Sequence, residues 1–471
     1  MTAVGLGSAA TVGSVLEAAL RSGIGPGRGR AGLVTASIPI RPIDLVAAFG
    51  AARARGEPVA LWIQPAAGHS FLAVGEAVRI DLAGPGRFER AAGAWRMLAA
   101  GAEPDPVKGG PVLVVGGPFA DHESTDPIWR GLEAGRAVVP SLLVAVKGNR
   151  ARLTATLAPD RGLDPADSLR ELTACADGLV APTIAVTRAG PPPRLRVSAR
   201  HPGSAAWRRS VARAGGAVGR GRLDKVVLAR RVDLVTDAPI DVPGVLRRLE
   251  AGAPGATTFA VTGADGRVFC GATPERLVAV RGRAFRTIAL AGTVGRGATA
   301  ADDRRMAAEL LVSEKDREEH ALVVDMLRST LGPLAERIEV PAAPHVVRLG
   351  TVQHLATELS GTLRGGETIL DLVERLHPTP AVGGWPTEAA LALIGEEERI
   401  DRGWYAGPVG WLDASGDGEF VVAIRSGVID AERASLFAGC GIVADSAPDR
   451  EWDESELKLE SLASAIGEVA E

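Results

Sequence analysis

Periodic apolar positions run through the chain from one end to the other. In its first part, Val59-Ala-Leu-Trp-Ile63 and Val112-Leu-Val-Val115 are short apolar runs of the length of buried strands. Arg87 to Ala100 spaces its apolar residues as one face of a helix. Pro191-Pro-Pro193 reads as a linker, and beyond it the pattern sharpens. Gly203 to Ala217 predicts a helix and Lys225-Val-Val-Leu-Ala-Arg-Arg-Val232 a strand. Thr258 to Val294 predicts a series of short strands, with turn chemistry at Gly263-Ala-Asp-Gly266 and Arg281-Gly-Arg283. From Asp302 to Leu331, Met306, Leu310, Leu311, Leu322, Val323, Met326 and Leu327 trace one helical stripe. Trp404 to Leu412, Glu419 to Ile429 and Ala434 to Val443 read as successive antiparallel strands, the first pair joined by Ala414-Ser-Gly-Asp-Gly418. A last helix starts near Asp449, its acidic residues placed to favour the N-terminal dipole. Strands and helices interleave throughout with no internal repeat, which predicts one large α/β assembly rather than separate units.

Composition narrows the function classes. With 46% apolar residues in 471, the chain can bury a substantial core, and a net charge of −4 gives no electrostatic reason for a nucleic acid or membrane partner. The longest apolar stretch, Val138 to Val146, is too short to span a bilayer and contains Pro140. Cys175, Cys270 and Cys440 are odd in number, far apart and in no Cys-x-x-Cys pairing, which argues against a disulfide framework or a zinc site. Met1-Thr-Ala-Val-Gly-Leu-Gly7 lacks the basic start of a secretory signal, so the expectation is a soluble, cytoplasmic protein. The glycine-rich run Gly215 to Gly221 does not end in Gly-Lys-Ser/Thr, and neither His-Glu-x-x-His nor Gly-x-Ser-x-Gly occurs. Nucleotide-loop, metalloprotease and α/β-hydrolase chemistries are therefore set aside.

Two acidic clusters stand out in the C-terminal half, Ser313-Glu-Lys-Asp-Arg-Glu-Glu-His320 and Glu451-Trp-Asp-Glu-Ser-Glu-Leu-Lys458. Each carries more carboxylates than one helical face leaves unpaired. Brought together, they would form a cage of hard oxygen donors suited to Mg²⁺ rather than zinc or iron. Taken singly, Glu319 or Glu454 reads as an ordinary solvated glutamate. Other residues carry two readings each. Lysine occurs only at Lys108, Lys147, Lys225, Lys315 and Lys458 in an arginine-rich chain. Lys225, on an apolar strand, is an edge gatekeeper or a buried amine able to lose its proton. Glu275 in Ala272-Thr-Pro-Glu-Arg276 is a turn residue paired with Arg276 or a site carboxyl. Tyr405, the one tyrosine, is an interfacial aromatic or a site hydroxyl. Arg425, within Val421-Val-Ala-Ile-Arg-Ser-Gly427, is an outward charge or an inward carboxylate fork.

Seven motifs in fixed order turn these scattered signals into a pattern: Lys225-Val-Val-Leu-Ala-Arg230, Ala272-Thr-Pro-Glu275, Leu290-Ala-Gly-Thr293, Lys315-Asp-Arg-Glu-Glu-His320, Leu376-His-Pro-Thr-Pro-Ala-Val-Gly-Gly384, Ala438-Gly-Cys-Gly-Ile-Val443 and Glu451-Trp-Asp-Glu454. Through them the chain resembles the chorismate-utilising enzymes, a family of isochorismate, salicylate, anthranilate and aminodeoxychorismate synthases. The resemblance implies an α/β fold with a single large antiparallel-sheet sandwich core and flanking helices. Residues 196–467 would be the chorismate-binding catalytic region, and the variable half, 1–195, would add strands and helices to the same fold.

The resemblance also implies a site. Glu319 and Glu454 would bind Mg²⁺, which holds the ring carboxylate of chorismate, with Asp316 and Glu451 behind them. Arg425 and Tyr405, with backbone amides near Gly439 and Gly441, would clamp the enolpyruvyl carboxylate. Gly292 and Thr293 would touch the ring carboxylate, and His354 and Lys458 would line the same site. Lys225 would be the base that activates water for attack at C2, and Glu275 the acid that protonates the departing C4 hydroxyl. Ammonia-using relatives carry Gln where this chain has Lys225, so water is the expected nucleophile and no glutamine amidotransferase subunit is expected. Ala381 resembles the isochorismate-forming branch, where salicylate- and anthranilate-forming relatives place Thr. Ala291 stands where many aminodeoxychorismate synthases have a nucleophilic Lys. The implied product is isochorismate, with continuation to salicylate and pyruvate as the alternative, and the implied state is a monomer. Cys440, where Ala is commoner, departs from the pattern.

Overall fold

The computed structural model describes residues 11–23, 32–64, 68–158, 165–180, 192–348 and 352–469; the start at Met1–Gly7 and Pro191 of the linker lie outside them. Two sheets, of thirteen and ten strands, carry the fold. The middle of the larger sheet places Val59–Ile63, Thr257–Thr262, Val268–Thr273, Ser426–Asp430, Arg433–Ile442, Lys225–Thr236 and Arg194–His201 side by side in that order. The smaller runs Ala335–Glu339, Val352–Leu363, Ala284–Gly295, Arg276–Arg281, Gly418–Val422, Pro408–Asp413, Val112–Gly116, Gly135–Val139 and Val78–Leu82. Among the described residues pairing is antiparallel except where Glu468–Val469 lies parallel to the start of Arg194–His201. Strands of the first 195 residues are built into both sheets: Trp62 pairs with Phe259, and Val114 with Trp411.

The two sheets share a core in which Trp62, Phe71, Phe259, Phe269 and Phe437 of the larger meet Leu113, Val115, Val278, Trp411 and Phe420 of the smaller. Phe71 and Trp411 stand edge to face across it, centroids 5.9 Å apart. Helices Arg87–Leu98, Glu314–Leu331 and Ile369–Leu376 close over the smaller sheet through Phe88, Trp95, Leu327, Leu331 and Leu372. Helices Leu45–Ala54, Val242–Gly252 and Pro448–Ile466 cover the larger through Val46, Phe49, Leu246, Leu459 and Leu462. Central strands are thus covered on both faces, which is why Thr257–Thr262 and Val268–Thr273 are buried at every position instead of alternating. This architecture, α/β with two large antiparallel sheets and flanking helices, agrees with the expected sandwich.

Three local expectations change. The stripe from Asp302 to Leu331 is two helices, Ala300–Val312 and Glu314–Leu331. Ser313 between them is extended, and its hydroxyl caps the second by accepting from Asp316 N–H. The stretch Glu419 to Ile429 is two strands in different sheets, Gly418–Val422 in the smaller and Ser426–Asp430 in the larger. The chain crosses at Ala423–Arg425, where Arg425 takes a positive φ of 52°, so Arg425 is a crossing residue and not a strand position. Likewise the strand expected from Trp404 begins only at Pro408, after a turn holding Trp404 to Gly407. The glycines Gly215 to Gly219 lie inside the helix Ser204–Gly219. No described helix is long and apolar enough to cross a membrane, and Cys175, Cys270 and Cys440 are free thiols.

Candidate active site

Where the two sheets part, one cavity of about 430 Å³ opens, and every residue named above as catalytic, metal-binding or substrate-binding lines it. Lys225 starts its strand at the cavity wall, 3% exposed, which decides for the buried amine over the edge gatekeeper. It is not a lone amine on an apolar surface, however: Lys225 Nζ donates to Glu319 Oε1 at 2.7 Å. Burial would raise the Glu319 carboxyl, but the charge and hydrogen bond of Lys225, with Lys458 and Lys315 behind, outweigh it and hold the carboxyl below its usual range. Gly441 makes this pair possible, since a Cβ there would stand 2.6 Å from Lys225 Cε and 3.2 Å from Glu319 Oε1.

Gly439 and Gly441 sit opposite Ala229 and Val227 in the ladder. Ala229 N–H donates to Glu398 and Val227 N–H to Gly383 O, both away from the glycine strand. In an antiparallel ladder the opposed residues then also point their amides away. The N–H groups of Gly439 and Gly441 therefore face the side that Ser426–Asp430 has already left, where its pairing stops at Leu436. Lys458, on the helix Pro448–Ile466, donates to Gly439 O at 2.9 Å and to Glu454 Oε1 at 2.5 Å. Burial would lower its amine, but Glu454 more than offsets this and raises it.

Glu275 occupies the turn between Val268–Thr273 and Arg276–Arg281, 6% exposed, with its amide held by the Thr273 hydroxyl. Arg276 turns instead to Glu419 and Glu358, so the bland pairing of neighbours is not made. Burial pushes the Glu275 carboxyl up to about 7, against the nearby cations Lys225, Lys458 and Arg425. Its surroundings thus move its titration up to about neutrality.

Across the cavity, the bulge that places Gly292 at a φ of 74° brings Thr293 opposite His354. Thr293 Oγ1 lies 2.9 Å from His354 Nδ1, and Arg425 Nη2 lies 3.4 Å from Nε2. Arginine only donates, so Nε2 accepts and Nδ1 carries the proton toward Thr293. Burial, then the charges of Arg425 and Lys458, push His354 well below its usual range and keep the ring neutral. The Thr293 hydroxyl thus accepts from histidine and keeps its own proton to donate. Arg425 Nη1 is buried without a hydrogen-bond partner in the protein, a donor ready for an anion. Tyr405 stacks on Phe437, centroids 5.1 Å apart. Burial pushes its hydroxyl up to about 12, so it too is a donor.

The acidic wall meets the donor chemistry of a hard dication. Ligand atoms of Glu451, Glu454 and Cys440 lie within 4.8 Å of one another. Burial and then the Glu454 charge push Glu451 up to about 7. Asp316 is raised by burial and by Glu319 and Glu454, against the hydrogen bond from Ser313. Such mutual repulsion is what a bound Mg²⁺ relieves. The geometry differs from the expected ligand pair in one respect: Glu454 groups with Glu451 and Cys440 and pairs with Lys458, while Glu319 pairs with Lys225. Cys440 does not add a ligand of the right kind. Burial raises its thiol well above the usual range, and its Sγ donates to Glu451 O at 3.2 Å, so it braces the start of the helix. Residues that the sequence did not single out also line the cavity, among them Arg402, Arg450 and Ser446. Arg402 had one legible sign, an acidic partner at Glu398 four residues earlier.

The family model described as chorismate binding enzyme matches residues 19–467. The chain is 37% identical over 451 residues to the salicylate biosynthesis isochorismate synthase of Pseudomonas aeruginosa, covering 93% of this chain and 90% of that protein. It is 38% identical over 358 residues to the isochorismate synthase MenF of Bacillus subtilis, covering 76% of this chain and 75% of that one. Among solved structures, the menaquinone-specific isochorismate synthase MenF of Escherichia coli aligns with a TM-score of 0.77 and 26% identity, covering 96% of this chain and 98% of that chain. With the cavity, its buried acid and amine, and a match over nearly the whole length, the chain belongs to the chorismate-binding enzyme family.

Proposed function

We propose that this chain is an isochorismate synthase, isomerising chorismate by adding water at C2 and losing the C4 hydroxyl. The observation that carries the reading is a buried amine, Lys225, and a buried carboxyl, Glu275, lining one cavity beside an unpartnered guanidinium N–H of Arg425. The anionic substrate supplies what Arg425 Nη1 lacks, and the Tyr405 hydroxyl and the amides of Gly439 and Gly441 surround the same enolpyruvyl carboxylate. Thr293, with its proton directed by His354, donates to the ring carboxylate. Lys225, as the general base, takes a proton from water as the oxygen bonds to C2. The ring double bonds shift, and the C4–O bond breaks as Glu275 gives its proton to the leaving hydroxyl. One water enters and one leaves, so atoms balance as an isomerisation. Exchange with solvent then returns Lys225 and Glu275 to their starting states.

Glu319 and Glu454, with Asp316 and Glu451 beside them, would hold Mg²⁺. When bound, the ion supplies positive charge that neutralises and orients the ring carboxylate. Ala381 and Ala291, both at the cavity wall, offer neither a hydroxyl nor an amine, which supports stopping at isochorismate. Lys225 supports water rather than ammonia as nucleophile, and so a chain acting without an amidotransferase subunit. Incubating the purified chain with chorismate and Mg²⁺ tests the reading. Isochorismate is the expected main product; salicylate with pyruvate would overturn it.

A further inference from the structure

Resting on that reading, we propose that the buried ion pair Arg402–Glu398 is a positioning device that fixes the Lys225 strand against the loop carrying Ala381. One edge of Lys225–Thr236 is served by two separate neighbours. Gly384–Trp385 pairs with Lys225 and Val226, and Arg194–His201 pairs from Arg231 onward. Between them the polar groups of Val227 and Ala229 face no strand. Val227 N–H finds Gly383 O at 2.9 Å. Two more are met by side chains: Ala229 N–H donates to Glu398 Oε1 at 2.7 Å, and Val227 O accepts from Arg402 Nη2 at 2.8 Å. The ion pair stands in for the missing strand.

Arg402 also holds the facing loop, since its Nη1 donates to Val382 O at 2.8 Å. Its Nε donates to Glu398 Oε2 at 2.9 Å, and the guanidinium lies 4.2 Å from the Phe119 ring centroid. The two side chains are 4% and 5% exposed, so water does not compete for these bonds. Tyr405 N–H bonds to Arg402 O at 2.9 Å, so the turn that presents the tyrosine hangs on the same residue. One planar fork thus sets the distance between the base strand and the Ala381–Val382 loop, while the backbone of the same residue holds the Tyr405 turn. A lysine cannot reproduce this, because a single ammonium lacks the fixed fork that spans several acceptors at once. Buried ion pairs are poor sources of stability, so a geometric role suits this one better than a stabilising role.

Steady-state kinetics of Arg402→Lys and Glu398→Gln with chorismate and Mg²⁺ test the inference. A base and ring displaced by about 1 Å cost about a hundredfold, so kcat should fall by about tenfold to a hundredfold. Because Arg425 and the backbone bond that holds the Tyr405 turn are both kept in these variants, KM should stay within about twofold. Full kcat in folded Arg402→Lys and Glu398→Gln would overturn the inference. So would a loss in which kcat only tracks the fraction of folded protein while KM rises in step. If Arg402→Lys fails to fold, Glu398→Gln still reads the clamp, since its amide oxygen can keep Ala229 N–H while the charge that grips Arg402 is gone. Failure of the functional reading is separable: a wild-type chain that makes no isochorismate overturns both, whereas an active wild type with fully active variants overturns the positioning role alone.

Discussion

At the scale of single residues, the site works by placing like groups in unlike surroundings. Glu275 is buried and Glu319 half-buried, and burial raises Glu275 to about 7, whereas at Glu319 the raising effect of burial is outweighed by Lys225 with Lys458 and Lys315, which lower it. The proposed acid is thereby set apart from the charged carboxylates. Because the proposed acid must carry its proton, Glu275 should give kcat/KM an alkaline limb that falls as pH rises through about 7. Glu275→Gln should lose about a hundredfold to ten-thousandfold in kcat, since it has no proton to give. A pH–rate profile of both proteins checks this; an unchanged alkaline limb in the variant would move the acid elsewhere. The residue types were legible in the sequence because motif order singled them out. Their protonation states were not, since those depend on which charges the fold sets beside each carboxyl. Nor was the partner of Lys225 legible, which comes from a helix 94 residues further on.

At the scale of elements, the helix Pro448–Ile466 organises the acidic wall. Glu451, Glu454, Ser455 and Lys458 recur at three- and four-residue spacing and share one face. Arg230 of the base strand fixes that face: its Nε donates to Ser455 Oγ at 2.6 Å and its guanidinium lies 4.1 Å from the Trp452 ring centroid. The carboxylates are thus held in register with Lys225 before any ligand arrives. Glu454→Ala should weaken Mg²⁺ binding by at least about tenfold in isothermal titration, the loss typical even of groups that only support metal ligands. Unchanged binding would place the metal elsewhere. Most elements here were legible as periodic runs, including this helix and the strand that starts at Lys225. The breaks were not. Ser313 interrupts an unbroken apolar stripe because its hydroxyl offers a cap, and Arg425 interrupts an alternating strand because the chain there changes sheets.

At the scale of the whole molecule, the halves are woven together. Thr257–Thr262 takes its outer neighbour from Val59–Ile63, and Pro408–Asp413 takes its outer neighbour from Val112–Gly116. Residues 196–467 produced alone would leave both strands as long apolar edges, so they should aggregate or stay unfolded. A monomeric, active fragment in size-exclusion chromatography and a turnover assay would contradict this. The sequence by itself determined the chemistry on offer, because motifs fix which side chains exist and in what order. It also determined most strands and helices, because periodicity is a local consequence of burying one face. Tertiary structure alone decided that the acidic clusters share one cavity with Lys225 and that burial raises Glu275 to about 7. It alone decided that Arg402 replaces a strand at the base of the site. Each of these depends on a contact across many residues, and on water being excluded there, which no local pattern encodes.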